Sequence, residues 1–108
     1  MAIMNTKRTG NSAAAYLFGK TRRGLLELLF NRPNTSFYTN EIVRQVGTGT
    51  SAVQRELQCL TAAGIIDREE KGIFVLYRAN RESPVYESLR SLVVTIGKAA
   101  SESVEKRE

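Results

Sequence analysis

The stretch Thr48–Gly64, TGTSAVQRELQCLTAAG, narrows the possible folds more than any other part of the chain. Glycine and threonine lead into it and a glycine ends it, which is the punctuation of a helix. At about 100° per residue, Val53, Leu57 and Leu60 fall within roughly 60° of one another. On the other side Thr50, Ser51, Gln54, Arg55, Gln58, Thr61 and Ala62 fill an arc of about 140°. A solvent-facing helix usually mixes Glu with Lys; this arc offers hydroxyls, amides and one guanidinium. Such a stretch is either an ordinary amphipathic helix or one whose polar face hydrogen-bonds base edges and phosphates.

The neighbours decide between the two. Before it, Thr39 is placed to cap a short helix, Asn40–Val46, with Ile42, Val43 and Val46 turned inward and Gly47 supplying a left-handed turn. Two helices joined by a short glycine turn make a helix-turn-helix pattern. After Gly64 the apolar period changes to two. Ile65–Glu69 reads as a strand, Glu70-Lys71-Gly72 as a tight turn, and Ile73–Arg78 as the return strand. Phe74, Leu76 and Arg78 share one face of that strand, and Ile73, Val75 and Tyr77 the other. The hairpin sets Glu69 and Glu70 beside Arg68 and Lys71, a near-neutral balance that predicts a weak contribution to any polyanion affinity. Upstream, Phe37-Tyr38 is long enough only to pair at the edge of a small sheet.

Thr21–Phe30 is the first strong helix, with Leu25, Leu28 and Leu29 on one face and Leu26 beside them; Asn31-Arg32-Pro33 ends it. Lys20, Arg22 and Arg23 crowd its start, where cations oppose the helix dipole. They are either phosphate contacts or a solvated basic end. Gly24, inside this helix, costs roughly 0.5–1 kcal/mol against alanine and points to close packing there. Ala13–Phe18 is a short apolar helix, with Asn11 or Ser12 available as its cap, interrupted by Gly19. Residues 1–12 read as a polar arm carrying Lys7 and Arg8. At the other end Ser83-Pro84 starts a helix of 18–20 residues, followed by a fraying tail from residue 105. Its stripe of Val85, Leu89, Leu92, Val93, Ile96 and Ala100 needs a surface, either the same domain or a second subunit. The preferred assignment is a homodimer interface formed with Tyr16 and Leu17. Residues 13–82 form the domain and residues 83–104 the dimerisation helix.

Composition narrows function further. Residues 1–66 hold eight Lys and Arg against three acids, while residues 67–108 hold eight against eight, so the whole net charge of +5 lies in the half with the polar-arc helix. A one-sided excess of this kind suits a polyanion, nucleic acid ahead of a membrane surface. No apolar run approaches the roughly 18 residues of a membrane span, and no signal segment follows the N-terminus. A single cysteine, Cys59, excludes an internal disulfide and fits the cytoplasm, with the nucleoid as the expected location. Cys59 lies on the flank of the core stripe, a packed small residue or a reactive thiol. The chain has no histidine, which removes histidine acid–base catalysis, Ser-His-Asp triads and most zinc or copper sites.

LFGKTRRGLLELLF, then FYTNEIVRQVGTGTSAVQRELQCLTAAGIIDREEKG, then VLYRAN and SPVYESLRSLV together resemble winged helix-turn-helix transcriptional regulators of the broad ArsR/MarR type. They are most like the ArsR-like DNA-binding domains found alone or ahead of nucleotidyltransferase domains. SAVQREL, AAGII and the end of the hairpin carry most of this likeness, which covers about residues 17–94. It implies a mainly α fold, a three-helix core with a small β-hairpin wing and helical extensions at both ends. It also implies a dimer on a two-fold operator. By position, Ser51, Gln54, Arg55 and, at the margin, Gln58 would contact bases. Tyr38, Thr39, Asn40 and Thr50 would meet phosphates, as would Arg68 or Lys71 from the wing. Gly49-Thr50 stands where such sequences often have Ser-Pro, which predicts a looser first turn. Metal-sensing relatives use Cys and His pairs that this chain lacks, so no metal and no cofactor are expected.

The function expected is a sequence-specific regulator of transcription, most simply a repressor, binding double-stranded DNA through helix 50–63. The alternative is a winged-helix adaptor for a separately encoded enzyme, which would carry an apolar or acidic surface in place of the polar arc. An enzyme is not expected, because no phosphate-binding glycine loop, ligand spacing or nucleophile–base arrangement appears.

Overall fold

A computed structural model describes the backbone of residues 10–106 and the side chains of residues 18–97. The elements run α1 (Gly10–Asn31), β1 (Phe37–Tyr38), α2 (Thr39–Val46), α3 (Thr50–Ala62), β2 (Ile66–Lys71), β3 (Phe74–Ala79) and α4 (Tyr86–Lys106). Four helices thus accompany a three-stranded antiparallel sheet of order β1-β3-β2. The expectations for residues 1–9, and for the side chains of Tyr16, Leu17 and Ala100, lie outside the described residues.

Gly19 breaks α1 as its sequence position predicts: its φ of 78° and ψ of 169° belong to no helix. Helix already covers Gly10, so Asn11 and Ser12 stand within the first turn and do not cap it. Beyond the break, Leu25, Leu26, Leu29 and Phe30 are buried, while Leu28 is only half-buried. Gly24 sits where α2 crosses; a Cβ there would lie 3.1 Å from Val46 Cγ1, which explains the glycine.

The α2–α3 pair forms with the expected punctuation. Gly47 (φ 73°) donates its N–H to the Val43 carbonyl at 3.1 Å. Gly49 (φ 105°) then turns the chain into α3. Val53, Leu57 and Leu60 are buried, as their spacing predicts. At the far end Gly64 (φ 76°) donates to Thr61 and Ile65 to Leu60, both at 3.0 Å, a Schellman closure that hands the chain to β2. Thr39 does not cap α2. Its hydroxyl donates to the Val75 carbonyl at 3.0 Å and ties the helix start to β3 instead.

In the hairpin Lys71 pairs with Phe74, so the loop is Gly72-Ile73, one residue later than the sequence suggests. Positive φ at Gly72 and not at Ile73 is the pattern of a type II′ turn, which wants glycine first. Ile73 therefore sits at the tip, 90% exposed. Tyr77 and Ala79 join the core, Leu76 is buried on the opposite face, and β1 pairs Phe37 with Tyr77.

Ser83 caps the turn before α4, its hydroxyl accepting from the Val85 N–H at 3.2 Å. The helix itself begins at Tyr86 and continues through Lys106, past the point where fraying is expected. From sequence, Val93 and Ile96 belong to a subunit interface. In the folded chain they are buried, sharing a crevice with Phe18 and Leu26 of α1, because the two arms of α1 offer the surface their stripe needs. Tyr86 packs its ring 5.8 Å from that of Phe30, and Leu89 is half-buried. Val85, Leu92 and Val94 keep 47%, 38% and 37% exposure and are what α4 leaves uncovered. Among the described residues no helix is long and apolar enough to cross a membrane.

Candidate nucleic-acid interface

Burial of Val53, Leu57 and Leu60 fixes the rotation of α3 and aims its opposite side outward. Thr50, Ser51, Gln54, Arg55 and Gln58 are all exposed. Helical spacing divides that outward surface into three strips. Ser51, Arg55 and Ala62 form the crest. Gln54, Gln58 and Thr61 form the flank toward the hairpin. Ala52, Glu56 and Cys59 form the flank toward α1.

The hairpin flank lines a cleft of about 620 Å³. Asn40 and Thr39 of α2 enter it from one side, and Arg68, Phe74 and Tyr77 from the hairpin. Tyr38 and Phe74 meet edge to face at its rim, centroids 5.5 Å apart, each about half-exposed. The Asn40, Gln54 and Gln58 amides make no side-chain hydrogen bond with other described residues. Thr61 Oγ1 is buried without a partner. Arg68 donates to Glu70 at 2.9 Å; that bond, and then one with the Tyr77 hydroxyl, raises its pKa. The arginine charge is thus answered within the hairpin. Arg78 lies 3.9 Å from Asp67 across the strands, and Lys71 is exposed near the tip.

On the α1 flank the three cations at residues 20–23 do not behave alike. Arg22 forks onto Glu56 of α3 with bonds of 2.8 and 3.1 Å, and this hydrogen bond, then the charge of Glu56, raises its pKa. One residue earlier, the Thr21 hydroxyl donates to Thr48 Oγ1 at 2.8 Å, so α1 holds both the turn before α3 and the middle of that helix. Arg23 pairs with Glu27 at 3.5 Å. Lys20 is exposed.

The structure therefore gathers Ser51, Gln54, Arg55 and Gln58 on one outward surface, with Tyr38, Asn40 and Thr50 near it. It spends the Thr39 hydroxyl proton on Val75, and Arg22, Arg23 and Arg68 on carboxylates of the same chain. Cys59, which its sequence position leaves as either a packed small residue or a reactive thiol, is exposed on the flank of α3 away from the hairpin. Arg44 went unnoticed in the sequence; it is exposed one helical turn after Asn40, and its place on the polar side of α2 was the available signal. Glu56 went unnoticed too, and its signal was that it is the one acid between residues 42 and 66.

Chemically, this surface offers donors and acceptors in quantity and little net charge. Lys20, Arg44, Arg55 and Lys71 carry no ion pair with other described residues. Among the described residues no group of three or more His, Cys, Asp or Glu could hold a metal ion. Comparison of the chain with protein-family models, with curated proteins and with solved structures found no match.

Proposed function

We propose that the chain is a winged helix-turn-helix protein that binds double-stranded DNA sequence-specifically and regulates transcription, most simply by occluding a promoter. The observation that carries this is the outward surface of α3. Its amides, hydroxyls and lone guanidinium have no hydrogen-bond or ion-pair partner among the described residues, and buried contacts with α1, α2 and the hairpin fix its orientation. Buried α3 residues set the helix, α2 crosses behind it, and β2–β3 stands beside it as the wing. Lys20, Arg44 and Lys71 supply the sequence-independent attraction, and Ser51, Gln54, Arg55 and Gln58 read base edges in the major groove. With the Thr39 hydroxyl occupied, the phosphate contact at the start of α2 falls to the Asn40 amide. A homodimer is part of this proposal, formed through Val85, Leu92 and their neighbours on α4, which would place two α3 helices on half-sites one turn apart. No catalytic step or cofactor belongs to it.

Selection of bound fragments from a genomic library, followed by a salt series, tests the function. The four cations of this surface that carry no ion pair among the described residues predict log K falling against log salt with a slope of roughly −3 to −4 per protomer, at about −0.9 per phosphate. Failure to enrich any sequence, or affinity unchanged across the series, refutes it. A second function, a winged-helix adaptor for another protein, is favoured by one observation: the hairpin tip exposes Ile73 at 90% and Phe74 at 54%. Ile73→Ser distinguishes them, leaving DNA affinity nearly unchanged in the first case and abolishing partner binding in the second.

A further inference from the structure

We infer that the hairpin-side flank of α3 reads adenine–thymine pairs, while Arg55 on the crest reads a single guanine. Each half-site would then run from one G·C pair into A·T pairs toward the wing. This rests on the DNA-binding function proposed above and adds the base class that each strip of α3 recognises.

The inference follows from what each strip can donate and accept. A side-chain amide presents one acceptor and a donor group side by side, the complement of adenine N6 and N7. Guanine presents two acceptors, O6 and N7, and is matched by a donor-only fork such as guanidinium. Two α3 amides, Gln54 and Gln58, line this cleft beside the Asn40 amide of α2, which is assigned above to a phosphate. None of them has a partner among the described residues, so their hydrogen-bonding capacity is open to a ligand. The cation lining this cleft is Arg68, and its guanidinium is held by Glu70 at 2.9 Å. A guanine on this flank would therefore meet a guanidinium already committed to a carboxylate. Arg55 is the free fork on α3, and it lies about 100° around the helix from Gln54, on the crest.

The rest of the cleft agrees with this division. Phe74 brings exposed apolar surface to the same side as the amides, and apolar contact is how the thymine methyl group is recognised. Gln54 and Gln58 are one turn apart, about 6 Å along the helix axis, close to two base-pair steps of roughly 3.4 Å. The adenines they read should thus lie on neighbouring or next-neighbouring pairs.

The test is selection of the full-length protein against a random duplex pool, followed by affinities on the enriched sequence and its single-base variants. A·T pairs are expected at the positions that respond to Gln54→Ala and Gln58→Ala, and G·C at the one that responds to Arg55→Ala. At its own position each amide should favour adenine over guanine by roughly five- to 150-fold, and the alanine variant should bring this ratio near one. Placing 7-deazaadenine there removes the N7 acceptor; it should weaken the intact protein and leave the matching alanine variant unaffected. These side chains are exposed, so the variants should melt with the parent. A G·C pair at the amide-dependent positions, or an unchanged consensus in both glutamine variants, overturns the inference while leaving DNA binding standing. Enrichment of no sequence overturns the DNA-binding function itself.

Discussion

The ion pair between Arg22 and Glu56 makes the most demanding prediction, because the same arginine has two incompatible roles open to it. As a phosphate contact, Arg22 acts on DNA directly. As a clamp, it holds α3 against α1 and neutralises a carboxylate at the edge of the surface proposed to face DNA. The two bonds of 2.8 and 3.1 Å make a fork, with side-chain exposures of 43% for Arg22 and 19% for Glu56. A fully exposed pair contributes 0.2–1 kcal/mol, and the half-hydrated arginine keeps this one near that range. The sheltered carboxylate and bidentate geometry place it at the top, about 1 kcal/mol of coupling.

A double-mutant cycle on Arg22→Gln and Glu56→Gln, read by denaturant unfolding, measures that coupling. The losses of the two single variants should sum to about 1 kcal/mol more than the loss of the double variant, equivalent to ~4–8 °C in melting temperature for a domain of this size. Near 1 M salt, where the screening length falls to about 3 Å, the coupling should shrink. Because the folded-state pKa of Arg22 is raised, its stabilisation is present in full below the ordinary arginine range and lost only above it. The coupling should therefore not weaken as an Arg titration through mild alkali. DNA affinity separates the two roles. If Arg22 acts through Glu56, adding Glu56→Gln to Arg22→Gln restores most of the lost affinity with the salt slope intact. Coupling indistinguishable from zero, or a double variant still as weak as Arg22→Gln with a slope smaller by about 0.9, refutes the clamp.

Three further outcomes follow from packing. Gly24→Ala should be close to neutral, since a helix-propensity gain of up to ~1 kcal/mol is offset by displacing Val46; Gly24→Val should destabilise by about 1–3 kcal/mol, measured by urea unfolding. Tyr86→Ala removes the ring packed on Phe30 and should cost roughly 3 kcal/mol, with amide exchange rising first in α4; unchanged protection there would mean the helix does not depend on this contact. Cys59 is exposed and should be alkylated in the native protein at a rate near that of the unfolded chain, and a requirement for denaturant would contradict its position on α3.

What the chain discloses locally and what it withholds divide along a physical line. The buried stripe of Val53, Leu57 and Leu60 follows from helical period, and the ends of α2 and α3 follow from the positive φ that Gly47 and Gly64 adopt. The outward amides of Gln54 and Gln58 follow too, because fixing one side of a helix fixes the other. All of these depend on backbone preferences acting within a few residues. Whether a polar group at the surface is free depends on which element lies opposite, and local preference says nothing of that. Arg22 finds Glu56 across 34 positions, and Thr39 gives its proton to Val75 across 36. Val93 and Ile96 spend on α1 the apolar surface that a second subunit would otherwise take. The sequence alone determined which residues α3 turns outward; the tertiary contacts decided which of the surrounding charges remain unpaired, because ion pairs form between neighbours in space.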